Sequence, residues 1–229
     1  MSYLSLKIKF EIKLNIYFLY SIINMDILYK LPFPEEICSK IFMYACKTPH
    51  TGLAVEVLKN RLDMNHLDIP EKDEDVIMID SDEITNYPSW RIIHIYFFTW
   101  FKNLNVIRLN YAPIRGDIID FRYMLNLTTI ELRGTGVNGD IIHLKTLPNL
   151  TKIGLNGTGV WGNIIHLNTL RNITEIGLSG TGVMGDITNL KQLLNITYID
   201  IAGTIVTGNK VIFNEYRKIT GLPKCFIAI

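Results

Sequence analysis

The chain has 229 residues, 48% of them apolar, enough to bury a core in one main domain plus a smaller unit. Its 23 Lys and Arg nearly balance 22 Asp and Glu, leaving a net charge of +1, and no basic stripe interleaved with aromatics occurs, which argues against a nucleic-acid partner. The three widely spaced cysteines, Cys38, Cys46 and Cys225, fit neither a disulfide framework nor a zinc site, so core thiols in a reducing compartment are the simpler reading.

Residues 1–24 have a basic start and an apolar run from Leu14 to Ile23. That run falls short of the ~20 apolar residues needed to span a bilayer, so no membrane association is expected. Lys13 and Asn15 interrupt it, and no small-residue cleavage site comes after it. Three readings stay open for this extension: translated upstream sequence with Met25 as the true start, an ordinary strand or helix, or a targeting segment.

Residues 25–68 predict a small helical unit. Pro34 suits a helix start, with Glu35 and Glu36 in the first turn, where carboxylates complement the dipole. Ile37, Ile41 and Tyr44 then share a face at helical spacing, and Thr51–Leu62 supplies a second helix through Leu53, Val57, Leu58 and Leu62. The segment Phe33–Phe42 resembles the first half of an F-box, L-P-x-E-I-x-x-x-I-F, with Phe in the first position. That resemblance implies docking to a ubiquitin-ligase scaffold through Phe33, Pro34, Glu36, Ile37, Ile41 and Phe42. The F-box pattern ends near a Trp-Arg pair, and here no Trp precedes Trp90. A helical cap on the C-terminal domain needs the same apolar face and is the other reading.

Residues 69–102 predict an N-terminal cap and partial repeat. Ile95, Phe98 and Phe101 stand where later copies carry Ile141, Leu144 and Leu147. Val76–Asp80 is the expected strand of this coil, with Ser81–His94 an enlarged loop.

From residue 103 to 208 the chain repeats itself. Asn103, Asn126, Asn149, Asn172 and Asn195 each open a copy at a constant step of 23 residues. A period this regular means a solenoid, whose units bury their apolar faces only against their neighbours. In the copy that opens at Asn126, Leu127, Ile130 and Leu132 predict a short strand with Ile130 and Leu132 inward. The next segment, G-T-G-V-x-G, reads as a turn, and Ile141, Leu144 and Leu147, spaced by three, suit a 3₁₀ turn or short helix. The order Leu127, Ile130, Leu132, Val137 resembles the leucine-rich repeat, and V-x-G-[DN]-I is similar to the L-x-G-x-I half of its plant-type members. The resemblance implies an α/β solenoid: a right-handed coil with a parallel sheet on its concave face. Where the family carries Asn or Cys this chain has Thr135, Thr158, Thr181 and Thr204, and Ala112 in the first copy. A Thr ladder is expected in their place.

Residues 209–229 predict a C-terminal helix and capping strand. Asn209 suits an N-cap and Gly221 a helix stop, and Leu222, Cys225 and Ile227 repeat the strand pattern after a three-residue insertion.

Outward strand positions form the expected binding face. One row is Val106, Thr129, Lys152, Glu175 and Tyr198; a second is Arg108, Glu131, Gly154, Gly177 and Asp200; a third is Asn110, Arg133, Asn156, Ser179 and Ala202. Arg108 is expected to face Glu131, and Lys152 to face Glu175, across strands ~4.8 Å apart. Trp161 and Met184 share a slot in successive turns and suggest a binding hot spot. His143 and His166 also share a slot, but two histidines without firm acidic or Cys partners are a thin metal site, and no metal or cofactor is expected. Asn126, Asn149, Asn156, Asn172 and Asn195 each begin N-x-T, which reads as glycan acceptors in a secreted protein or as structural residues of the repeat. No nucleophile–base pair, phosphate loop or acidic dyad is visible. The expectation is a non-enzymatic protein-binding module in the cytoplasm, or the host-cell cytoplasm for a viral source. The alternatives are a ubiquitin-ligase substrate receptor and a glycosylated surface protein.

Overall fold

Every 23-residue copy makes one coil, and each coil carries two short strands where the sequence predicts one. The computed structural model describes residues 76–80 and 93–229; residues 1–24 and the helical unit at 25–68, with its Phe33–Phe42 segment, lie outside them. In chain order the strands are β1 (Met78–Asp80) and β2 (Ile93–His94), then one pair per coil. The pairs are β3 (Val106–Arg108) and β4 (Ile114–Asp117), β5 (Thr129–Glu131) and β6 (Gly136–Asp140), β7 (Lys152–Gly154) and β8 (Gly159–Asn163). They continue with β9 (Glu175–Gly177) and β10 (Gly182–Asp186), then β11 (Tyr198–Asp200) and β12 (Ile205–Thr207). Helix α1 (Lys210–Ile219) and β13 (Phe226–Ala228) close the array.

The odd-numbered strands form a seven-stranded sheet in the order β1-β3-β5-β7-β9-β11-β13, and the even-numbered ones a second sheet of six. All pairings are parallel. A 3₁₀ turn comes after each even strand from β2 to β10, as at Ile141–Thr146. This is the leucine-rich-repeat solenoid, with the seven-stranded sheet on its concave face. Its interior is the row Ile107, Ile130, Ile153, Ile176 and Ile199, together with Val137, Val160 and Val183, none more than 1% exposed. Each such side chain contributes roughly 1.5–3 kcal/mol of apolar burial.

The second sheet explains the V-x-G-[DN]-I motif. Asp140 caps the 3₁₀ turn, its Oδ1 accepting from Ile142 N–H at 2.9 Å. The Gly of the next coil sits against that cap: Gly162 has φ 116°, and a Cβ there would overlap the Asp140 carboxylate. Only a glycine allows the strands to approach so closely, and this close approach builds a sheet from a segment that reads as a turn. In the first described coil His94 takes the capping slot, its Nδ1 accepting from Tyr96 N–H at 3.3 Å.

The expected threonine ladder changes place. Thr135, Thr158, Thr181 and Thr204 do not link coils: each hydroxyl donates to the carbonyl three residues back, Thr135 to Leu132 at 2.7 Å. The ladder between coils belongs to Thr128, Thr151, Thr174 and Thr197, the Thr of each N-x-T, which donates to the carbonyl one full step earlier. The Asn of the same motif donates to the preceding coil as well, Asn149 Nδ2 to Leu125 O at 2.9 Å. The N-x-T that opens each coil is thus a stitch between coils, unlike the one at Asn156.

The C-terminal register also differs. Tyr198 pairs with Phe226 and Ile199 with Ile227, five residues beyond one repeat rather than three. The extra length accommodates α1, capped by Asn209 and stopped by Gly221 at φ 73°. Arg217 on α1 is fully buried, and its guanidinium donates to the carbonyls of Pro223 (2.6 Å), Lys191 (3.2 Å), Leu193 (2.5 Å) and Ile196 (2.9 Å). A planar fork with five donors plugs loop carbonyls of the last coil.

Candidate functional site

The face of the seven-stranded sheet divides into two halves. In the first, the expected pairs Arg108–Glu131 and Lys152–Glu175 are joined into one line of alternating charge. Arg108 Nε lies 2.6 Å from Glu131 Oε2 and also pairs with Asp80 on β1. Lys152 Nζ lies 2.7 Å from Glu131 Oε1 and 2.9 Å from Glu175 Oε2. Five side chains on β1, β3, β5, β7 and β9 are neutralised rung by rung. Burial pushes the Glu131 carboxyl up, but hydrogen bonds from Lys152 and Arg108 outweigh it and hold the carboxyl below its ordinary range. The bonds to Glu131 and then Glu175 raise Lys152. Exposed pairs of this kind contribute ~0–1 kcal/mol each, so the ladder occupies the surface more than it stabilises it.

On β7 and β9 the second outward row carries no charge. Gly154 and Gly177 leave the β7 and β9 positions without side chains, beside Glu131 on one flank and Asp200 on the other. Asn156, expected on the outer face, is only 8% exposed: its Nδ2 reaches over Gly177 to Asp200 Oδ2 at 2.9 Å, and its Oδ1 is buried without a partner. A Cβ on Gly177 would collide with that Asn156 amide. Beyond these glycines Tyr198 and Phe226 stack face to face, ring centres 5.7 Å apart and planes 7° from parallel, 38% and 63% exposed. Arg133 stands exposed at the margin, its backbone N–H bonded to the Asn110 side chain at 2.9 Å. The Asn156 amide closes the surface over Gly177, so what stays accessible is the dip at Gly154, flanked by Glu131, and the exposed aromatic pair beside Asp200, a surface suited to an extended polypeptide.

Trp161 and Met184 lie on the other sheet. They sit on β8 and β10 rather than in a turn, and they are not side by side. Strands of this sheet pair two residues short of a full step, so Trp161 neighbours Gly182, and Met184 neighbours Asn163 and Ile205. Trp161 (52% exposed), Met184 (48%) and Ile205 form an exposed apolar diagonal. His143 and His166 occupy successive 3₁₀ turns, and no cluster of three metal-binding side chains occurs among the described residues. The possible docking residues Phe33, Pro34, Glu36, Ile37, Ile41 and Phe42 lie outside the described residues.

Sequence reasoning misses Tyr111. It occupies the slot of Gly134, Gly157, Gly180 and Gly203, with φ 60° against 67° at Gly134, and is exposed with its ring lying against Gly134. Its signal is a break in the repeat: a Tyr where four later copies have Gly. It also misses the buried role of Arg217, whose signal is a cation four residues after Phe213 on the same helical face.

No family model matches the sequence, nor does any curated protein. Solved structures do. The ectodomain of the receptor kinase SOBIR1 from Arabidopsis thaliana matches at 17% identity over 69% of this chain and 96% of that one, with a TM-score of 0.52. A plant ice-binding protein matches at 16% identity over 70% and 58%, TM-score 0.52. The PEPR1–AtPEP1 structure matches at 20% identity over 60% and 19%, TM-score 0.50. The chain spans about a fifth of the first receptor structures it matches, 22% for the RGFR1 complex and 19% for PEPR1. These likenesses show the leucine-rich-repeat fold. A coil shared by a receptor ectodomain and an ice-binding protein serves unlike tasks, so function must be argued from side chains.

Proposed function

We propose that the chain is a non-enzymatic protein-interaction module that holds a partner polypeptide on the second half of its seven-stranded sheet. One observation supports this above others: the charge ladder ends at Glu175, Gly154 leaves a dip beside its last rungs, and beyond it lies the exposed, stacked Tyr198–Phe226 pair. Aromatic anchors beside backbone-lined grooves carry binding energy, whereas neutralised surface pairs carry little. The PEPR1–AtPEP1 structure, a complex on a related coil, is consistent with this use. Trp161 and Met184 offer a second contact on the other sheet, where Trp161→Ala is expected to leave the fold intact and weaken capture. The test is affinity capture with tagged protein from its source. Tyr198→Ser is expected to lose the partner that Lys152→Ala retains, both variants melting within about 3 °C of the parent. Equal recovery by the two would overturn the assignment.

The location has two supports pulling apart. Cys225 is a buried free thiol whose pKa burial pushes up to about 11, an inert core residue of the kind a reducing cytoplasm favours. The SOBIR1 likeness and the exposed line of Asn126, Asn149, Asn172 and Asn195 favour a secreted or surface protein. Asn156 is too buried to carry a glycan. A glycosidase-sensitive mass shift would select the second setting. No helix among the described residues is long and apolar enough to cross a membrane. The ubiquitin-ligase receptor reading rests on the sequence of Phe33–Phe42, and co-purification of a ligase scaffold tests it.

A further inference from the structure

Strand β13 is an edge of the seven-stranded sheet, and its outer side is only partly closed. In a parallel ladder, alternate residues present their N–H and C=O to alternate sides. Phe226 N–H bonds Thr197 O at 2.8 Å, and Ala228 O accepts from Ile201 N–H at 3.0 Å, both toward β11. Cys225 and Ile227 therefore face outward. At Cys225 the helix supplies a substitute strand: Asn214 Oδ1 accepts from Cys225 N–H at 2.9 Å, and Asn214 Nδ2 donates to Cys225 O at 3.0 Å. Among the described residues nothing closes Ile227 in the same way.

A groove of about 640 Å³ runs along this edge between β13 and α1. Val211, Leu222 and Phe226 give it an apolar lining, with Val211 and Phe226 largely exposed. Lys210, Lys218 and Lys224 surround it against a single acid, Glu215, and none of the three forms an ion pair with a described residue.

We propose that this groove binds an extended, acidic segment of a partner protein, which adds a strand to β13 at Ile227. The open N–H and C=O supply main-chain pairing, the apolar lining takes alternate side chains, and the lysines select carboxylates. The same lysines disfavour a second copy of this chain, because pairing β13 with β13 would bring the two sets together. The site adjoins the Tyr198 face through Phe226, but it rests on the Ile227 main chain and on lysines that the sheet-face reading does not use.

The probe is a fluorescein-labelled peptide with a Val-Thr-Val centre and glutamates at both ends, monitored by fluorescence polarisation. Micromolar binding is expected, weakened roughly ten-fold when lysines replace the glutamates and also when 0.5 M salt is added. A peptide N-methylated at alternate central residues is expected to lose binding, because its main-chain donors are blocked. The exposed double variant Lys218→Glu, Lys224→Glu is expected to prefer the lysine peptide, with capture by the sheet face unchanged. Equal binding of acidic, basic and N-methylated peptides would overturn the proposal. So would light scattering that shows a dimer abolished by the same double variant, which would assign the edge to a second copy.

Discussion

The two halves of the seven-stranded sheet share one backbone and differ in what stands on it. From β1 to β9 a line of five side chains, Asp80, Arg108, Glu131, Lys152 and Glu175, holds its own partners. At β7 and β9 the neighbouring row loses its side chains to Gly154 and Gly177, and from β11 to β13 the first row turns aromatic at Tyr198 and Phe226. Stacking fixes the inward positions alike in every coil. Outward positions are free to vary, and they either bond to the next rung or stay available. The difference shows that in a repeat protein the places to seek function are those where the rung-to-rung pairing fails.

The comparison breaks most completely if the common core is lost. Ile176 is fully buried beneath the boundary between the halves. Ile176→Asp places an unpaired carboxylate there at a cost of about 3–5 kcal/mol or more, and loss of the cooperative melt monitored by circular dichroism is expected. A shift of a degree or two would mean that the coils are not coupled as described. Arg217→Met comes next. It leaves four carbonyls without their donor, and a loss of roughly 2–4 kcal/mol, some 5–15 °C in melting temperature, is expected. Hydrogen exchange should then rise first in the coil of β11 and least in that of β3.

The ladder half has its own signature in pH. The folded pKa of Glu131 is lowered, so its contribution is present above the unfolded value of 4.5 and lost as pH falls through the folded one. Lys152 is raised, so its contribution is present below 10.5 and lost as pH rises through its folded value. Thermal melts should weaken by only about 1–3 °C at either extreme, and Glu131→Gln should remove the acid limb. The smallest effect is expected at Tyr111. Tyr111→Gly relieves a left-handed backbone at some cost in chain entropy, with a net gain of a few tenths to about 1 kcal/mol in a denaturant titration.

Much of the fold is legible in the residues alone. The 23-residue step, the inward rows at Ile130 and Leu132, and the three-residue spacing that makes the 3₁₀ turns are all matters of periodicity. The second sheet is not, because Gly136–Asp140 is short, carries two glycines and has one inward apolar side chain, so no alternation marks it as a strand. Its strands form because each Gly accepts the previous coil's cap, a contact between coils that no single copy encodes. The expected pairs Arg108–Glu131 and Lys152–Glu175 are readable from the register, but Asp80 is not, since β1 joins the ladder five residues beyond one repeat. Arg217 and Asn214 act on main-chain groups, and a sequence gives little warning of carbonyls left open at the end of a stack.

Photo-crosslinking from inside the sheet tests the division most directly. A benzophenone amino acid placed at the half-exposed Val106 in one variant and at Tyr198 in another reports which half touches the captured partner. A crosslink from position 198 and none from position 106 is the predicted result. A crosslink from position 106 alone would contradict the account.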